Sequence, residues 1–138
     1  MKREAEALVE VPFHDVDMVG IVWHGHYAKY FELARCALLD TFNYGYMQMK
    51  ATGYGWPVID LRLRYVKPAW FGQKLRVRAT LLEWENRLRI EYLVSDAQTG
   101  ERLTKGESVQ VAVHMDTREM CLVSPDVLFE RLGVDKPQ

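Results

Sequence analysis

Apolar side chains recur every three or four residues between His24 and Asn43, and after Pro57 they recur every second residue. That single change of period constrains the fold more than any other property of the chain. Tyr27, Phe31, Ala34, Leu38 and Phe42 fall on one face of a helix, and a face that apolar must be covered. Downstream, the pattern is that of half-buried antiparallel strands. Leu61, Leu63 and Tyr65 alternate with Arg62 and Arg64. Leu75, Val77, Ala79 and Leu81 alternate with Arg76, Arg78 and Thr80. Leu88, Ile90, Tyr92 and Val94 follow after a turn at Asn86-Arg87, and a last strand is expected over 107–115, with Val109, Val111, Val113 and Met115 on one side. The simplest cover is a curved antiparallel sheet of about five strands wrapped around one long helix, an α+β arrangement.

The remaining punctuation fits this plan. Leu8–Phe13 reads as a first strand, with Val9, Val11 and Phe13 on one side and Pro12 marking an edge position or strand end. The helix is expected to stop at Asn43-Tyr44-Gly45, with Gly45 as a left-handed cap, and Tyr46–Gly55 forms a second short helix or a loop. Ser124 is a good N-cap for a small terminal helix, with Pro125 at its first position. At 138 residues the chain is expected to be one domain spanning 1–138, with no room for a separate cofactor module.

Charge and cysteine narrow the partners. The formal net charge is −1, which supplies no global basic field for nucleic acid or an anionic membrane. Cys36 and Cys121 form no Cys-x-x-Cys pattern and read as free thiols in a reducing compartment. No apolar core follows the basic residues at the start, so no signal peptide is expected. The apolar run Met18–Trp23 is broken by Gly20 and far too short to span a bilayer. A cytoplasmic protein without membrane insertion is the expectation.

The chemistry concentrates between the first strand and the helix. Asp15 and Asp17 lie there, followed by Gly20, His24 and Gly25. The first N–H groups of a helix have no intrahelical partner and point outward with the positive end of the dipole. At His24 and Gly25 they form a donor pair for a developing oxyanion. A nearby carboxylate with such donors suits acyl transfer or thioester hydrolysis. The same Asp residues are also ordinary turn formers, so spacing alone leaves a structural role open.

The pattern Asp15-x-Asp17-x-x-Gly20-Ile21-Val22-Trp23-His24-x-x-Tyr27-x-x-Tyr30-Phe31-Glu32-x-Ala34-Arg35 resembles the signature of hotdog-fold acyl-CoA thioesterases. The group it is most similar to is the 4-hydroxybenzoyl-CoA thioesterase family with its YbgC-like branch. The resemblance extends in order and length over residues 6 to 132. It implies a hotdog fold and a homodimer joined edge to edge, commonly paired into a homotetramer, with active sites between subunits. It implies Asp17 as catalytic nucleophile or general base and the His24 backbone N–H as the group that polarises the thioester carbonyl. At position 24 the 4-hydroxybenzoyl enzymes carry Tyr and the YbgC-like enzymes His, so this chain follows the second. Gly25 and Tyr27 are the candidate substrate-binding residues. The substrate implied is an acyl-CoA or an acyl carrier protein thioester, hydrolysed without metal or organic cofactor. The sequence departs from the pattern at His26.

Other residues carry two readings each. Asp15 either shares a proton with Asp17 or holds the turn. Glu32 is either a rival nucleophile on the helix or the partner of Arg35 one turn on. His24 and His26, two residues apart, point about 200° from each other on a helix and are poorly placed to share a metal. The strand residues Arg62, Arg64, Lys67, Arg76, Arg78, Arg87 and Arg89 fit either CoA phosphates or a solvated face. Trp23, Tyr27, Tyr30, Tyr54 and Trp56 line an acyl pocket or simply fill the core. Two further functions remain open: a dehydratase or hydratase using the same pocket, and a non-catalytic acyl-thioester-binding subunit.

Overall fold

The first strand, β1, runs over Arg3–Glu10 in the computed structural model, which describes residues 3–137. It begins earlier and stops sooner than the expected Leu8–Phe13. Ala5, Ala7 and Val9 turn inward while Glu4, Glu6, Leu8 and Glu10 face solvent. Small alanines alternating with glutamates bury one face without the β-branched residues that usually signal a strand. Pro12 stands just past the end of the ladder, and Phe13 opens a single 3₁₀ turn over Phe13–Asp15, where it is 74% exposed.

A second 3₁₀ turn over His24–His26 leads directly into α1, Tyr27–Asp40. Tyr27, Phe31, Ala34, Leu38 and Phe42 are all buried, as the spacing requires. The left-handed residue after the helix is Asn43 (φ 54°), not Gly45, which is extended at φ −72°. Asn reaches this region more readily than other side chains, and Gly45 instead opens α2, Tyr46–Ala51.

The strands that follow are β2 (Tyr54–Gly55), β3 (Val58–Tyr65), β4 (Lys74–Glu83), β5 (Leu88–Asp96), β6 (Arg102–Gln110) and β7 (Val113–His114). The five long ones form one antiparallel sheet in the order β1-β4-β5-β6-β3, and β2 pairs with β7. The expected strand 107–115 is thus two elements: β6 starts at Arg102, and the chain leaves the sheet at Val111-Ala112 before β7. Leu103, Thr104, Ser108, Val109 and Gln110 are buried, so β6 shows no alternation to read. The last helix, α3, covers Asp126–Leu132. Ser124 does not cap it. Its hydroxyl donates to the Trp84 carbonyl at 2.5 Å, tying α3 to the β4–β5 hairpin.

Helix α1 lies in the concave face of the sheet, nearest β1 and β4. Leu75, Val77, Ala79, Leu88, Ile90, Tyr92 and Val94 form the floor beneath it. A close approach is made at Gly106 of β6. The ring of Phe31 stacks on Tyr92, whose register partner is Gly106, with ring centroids 4.4 Å apart and planes 2° apart. A Cβ at Gly106 would stand 2.5 Å from the Phe31 ring and 2.5 Å from the Arg62 carbonyl oxygen, so no other residue fits there unmoved.

Strand β3 ends the sheet, and its outer edge pairs with nothing among the described residues. Val58, Ile59, Leu61 and Tyr65 are exposed on it. Asp60, Arg62 and Arg64 interrupt the apolar residues, but the unpaired main chain of this eight-residue edge is a template for a further strand.

Candidate active site

The segment between β1 and α1 folds into a small hairpin rather than a free loop. Val16 bridges Val22, the Asp17 N–H donates to the Ile21 carbonyl at 2.9 Å, and Gly20 turns the chain at φ +93°. The Val19 N–H donates to Asp17 Oδ1 at 2.9 Å, an Asx turn that fixes the carboxylate. Asp17 Oδ2 accepts no hydrogen bond among the described residues, and the side chain is exposed.

The hairpin is zipped to the β3–β4 connection. The Val22 N–H donates to the Ala69 carbonyl at 2.9 Å and the Phe71 N–H to Gly20 at 2.9 Å, while Ile21 bridges Trp70. Pinned in this way, Asp17, Ile21, Val22, Trp23, His24 and Tyr27 line one cleft of about 340 Å³ together with Tyr65, Val66, Lys67 and Pro68.

The helix start forms the opposite wall. The His26 N–H donates back to the Trp23 carbonyl at 3.0 Å, whereas the N–H groups of His24 and Gly25 open the helical run and have no earlier turn to bond. The Tyr65 hydroxyl donates to the His24 carbonyl at 2.9 Å. That carbonyl and the Gly25 N–H belong to one planar peptide and point in opposite directions, so Tyr65 fixes the heading of the Gly25 donor. Burial, then the neighbouring Tyr27, push the Tyr65 hydroxyl's pKa above its usual value, which keeps it a donor. Gly25 itself lies under the Trp23 indole. A Cβ there would meet the ring at 2.1 Å.

Of the four residues singled out from the sequence, Asp17, His24 and Tyr27 line the cleft, and Gly25 lies beneath Trp23 beside it. Tyr27 is buried, and its hydroxyl accepts the Ala69 N–H at 3.3 Å. Tyr65 was read only as a strand residue, and Lys67 only as one of seven basic residues for CoA phosphates or a solvated face. They reach the site from about forty residues downstream because β3 and its exit run past the helix start, a proximity that only the strand order reveals.

Asp15 does not share a proton with Asp17. It is 1% exposed and turned away from the cleft, with Lys29 Nζ on Oδ1 and the Tyr30 hydroxyl on Oδ2, both at 2.6 Å. Burial alone would raise its pKa, but the bonds from Lys29 and Tyr30 win and hold it below the usual value. Glu32 is largely exposed and 3.6 Å from Arg35, an ion pair across one helical turn. Arg76 and Arg78 pair with Glu6, Arg87 and Arg89 with Glu83, Arg62 with Asp60, and Lys67 with Glu101. Tyr54 and Trp56 line a separate, larger cavity of about 710 Å³ between the second half of α1, α2 and the start of β3.

One long helix held against an antiparallel sheet is the hotdog fold, an architecture whose classes include the thioester hydrolases. Within that class the chain belongs to the Thioesterase-like superfamily, whose family model matches residues 11–130. A Synechocystis sp. relative that bears a provisional esterase name is 28% identical over 134 residues, covering 92% of this chain and 77% of its own. The structure of a DHNA-CoA thioesterase from Staphylococcus aureus superposes with a TM-score of 0.80 at 25% identity, covering 86% of this chain and 80% of that one. A Thermus thermophilus protein of no stated function superposes with a TM-score of 0.83 at 28% identity, covering 94% and 97%.

Proposed function

We propose that this protein hydrolyses acyl thioesters of coenzyme A or of an acyl carrier protein, with Asp17 as the catalytic carboxylate. The observation that carries the reading is that Asp17, with one oxygen tethered and the other free, shares a cleft with the start of the helix at His24. The thioester carbonyl oxygen accepts the His24 N–H, which stabilises the negative charge that develops as the carbonyl carbon becomes tetrahedral. Asp17 Oδ2 either attacks that carbon, expelling the thiolate and leaving an anhydride for water to open, or takes a proton from a water that attacks. Both routes end in free acid and thiol. The His24 side chain favours the YbgC-like branch of the family. The DHNA-CoA thioesterase similarity favours a coenzyme A ester as the substrate.

The site calls for a second copy of the chain. Antiparallel pairing of two β3 strands about a two-fold axis at their midpoint sets Pro57 of one copy beside Val66 of the other. Pro57 lines the larger cavity and Val66 the Asp17 cleft, so the pairing joins the two into one chamber deep enough for an acyl group. Val58, Ile59 and Leu61, exposed in the single chain, lie along the edge that this pairing joins. A homodimer is therefore the working unit, and sedimentation should find no fully active monomer.

The test is thiol release from a panel of aryl and short to long acyl-CoAs, with carrier-protein thioesters included. Asp17→Asn is expected to lower kcat by at least about 10²–10⁴-fold, the range for loss of a positioned base, while leaving the melting curve in place. Near-normal turnover in that variant refutes the assignment. His24→Ala is expected to cost much less, because it keeps the backbone N–H. A 3-hydroxyacyl-CoA dehydrated without thiol release would instead identify a dehydratase, and tight binding without turnover a non-catalytic subunit.

A further inference from the structure

Asp15 is the most deeply buried carboxylate among the described residues, and hydrolysis as described makes no use of it. Its N–H donates to the Pro12 carbonyl at 3.1 Å, but its three oxygens are all spent on the helix start. The Asp15 main-chain carbonyl accepts the Trp23 N–H at 3.0 Å, on the near side of His24. Its carboxylate oxygens accept Lys29 Nζ and the Tyr30 hydroxyl at 2.6 Å each, on the far side, in the first turn of α1. His14 Nε2 and His26 Nδ1 stand 3.8 Å from Oδ1. One residue therefore brackets the helix start from both ends. The chain then runs two residues to Asp17, whose own N–H is tied across the hairpin to Ile21.

From this bracket we infer that Asp15 is a positioning residue that sets the separation between the Asp17 carboxylate and the His24 N–H. The assignment rests on the reading of Asp17 as the catalytic group. A turn-holding role alone would need only the main-chain bonds of the hairpin. The carboxylate adds contacts to α1, so the hairpin and the helix start become one rigid piece instead of two that meet at the cleft. Positioning of this kind acts on the transition state: a displacement of about 1 Å between reacting groups costs about 10²-fold in rate and leaves substrate affinity largely intact.

The experiment is a double-mutant cycle with kinetic and thermal readouts on the full chain. Asp15→Asn keeps the side-chain shape and removes the charge that Lys29 pairs with. It is expected to lower kcat about 10–100-fold with KM within about threefold, assayed below the variant's melting temperature. In the Asp17→Asn background the same substitution is expected to change the residual rate by less than about threefold, while lowering the melting temperature equally in both backgrounds. An unchanged kcat, or the same factor lost in both backgrounds, overturns the inference, the second because it marks a general effect on the fold. Should Asp15→Asn not fold, Lys29→Met replaces it. It removes a partly exposed partner and leaves the Tyr30 bond, and it is expected to show a smaller kcat loss that vanishes in the Asp17→Asn background. An unchanged kcat there overturns the inference as well. Full activity of Asp17→Asn alone would overturn the reading beneath it, and is seen before Asp15 is touched.

Discussion

Gly106→Ala adds one methyl group where the Phe31 ring of α1 lies against β6. The new Cβ would lie 2.5 Å from the Arg62 carbonyl oxygen and 2.5 Å and 2.8 Å from two carbons of the Phe31 ring, against 3.4 Å or more for ordinary contact. Neither obstacle yields easily. The carbonyl is part of β3, and moving it strains the β3–β6 ladder. The Phe31 ring is stacked on Tyr92 and has no free side to retreat to. Insertion of a methyl into a packed core costs about 1–3 kcal/mol, and two rigid neighbours set the expectation at about 2–3 kcal/mol. For a chain of this length that is a fall in Tm of roughly 7–11 °C. Urea and thermal unfolding of the purified variant measure it directly. In a Phe31→Leu background, where the ring is gone, the same substitution should cost about 1 kcal/mol less, because part of the overlap has been removed. A cost below about 0.5 kcal/mol, the level of an ordinary surface change, would refute the steric argument. Equal costs in both backgrounds would refute the role given to Phe31.

Two more outcomes are expected. Tyr65→Phe removes the hydroxyl that holds the His24 carbonyl, a bond of about 0.5–1.5 kcal/mol, so if that tether steadies the helix start kcat should drop roughly 2–10-fold with little change in Tm; an unaltered kcat would show that the tether does not serve the reaction. Asp96 is held down to a pKa of about 2 by the Gln73 amide and by the Thr99 and Gln98 N–H groups. A depressed folded-state pKa adds stability above the unfolded value near 3.8, and that contribution fades as pH falls toward 2. The urea midpoint of Asp96→Asn should therefore fall less between pH 4 and pH 2 than that of the parent, and parallel curves would contradict the assignment.

The legible parts of the fold are those where one face alone is buried. The four residues of the α1 stripe, Phe42 just beyond it, and the alternating residues of β4 and β5 could be placed from spacing because their opposite faces meet water. β6 was misjudged because both of its faces are covered near its end, and β1 because alanine and glutamate are weak strand formers. Asn43 and Ser124 were misread for a related reason. Gly45 and an N-cap serine follow local preference, yet tertiary contacts decide which residue turns the chain and where a hydroxyl finds its acceptor. In the site, Asp17, His24 and Tyr27 could be picked out because the motif is contiguous. Tyr65 could not, because nothing in its own neighbourhood distinguishes it from other strand residues, and Lys67 was one of seven basic residues with no local sign of which reaches the cleft. Asp15 was noticed, but its bonds to Lys29 and Tyr30 depend on how the helix start folds back over the hairpin.

The zipper between the Asp17 hairpin and the β3–β4 connection has a bearing on how such a protein can diverge. The cleft is built from two stretches, residues 11–27 and 65–73, that bond to each other through Val11, Gly20, Val22, Ala69, Phe71, Gly72 and Gln73. The helix stripe and the central strands contribute little to this seam. Each of these bonds runs from main chain to main chain, so exchange of side chains along either stretch leaves the seam closed. A chimera that takes the Asp17 hairpin from a cousin should therefore keep its joint to the native 65–73 segment, and the lining of the cleft can diverge one side chain at a time.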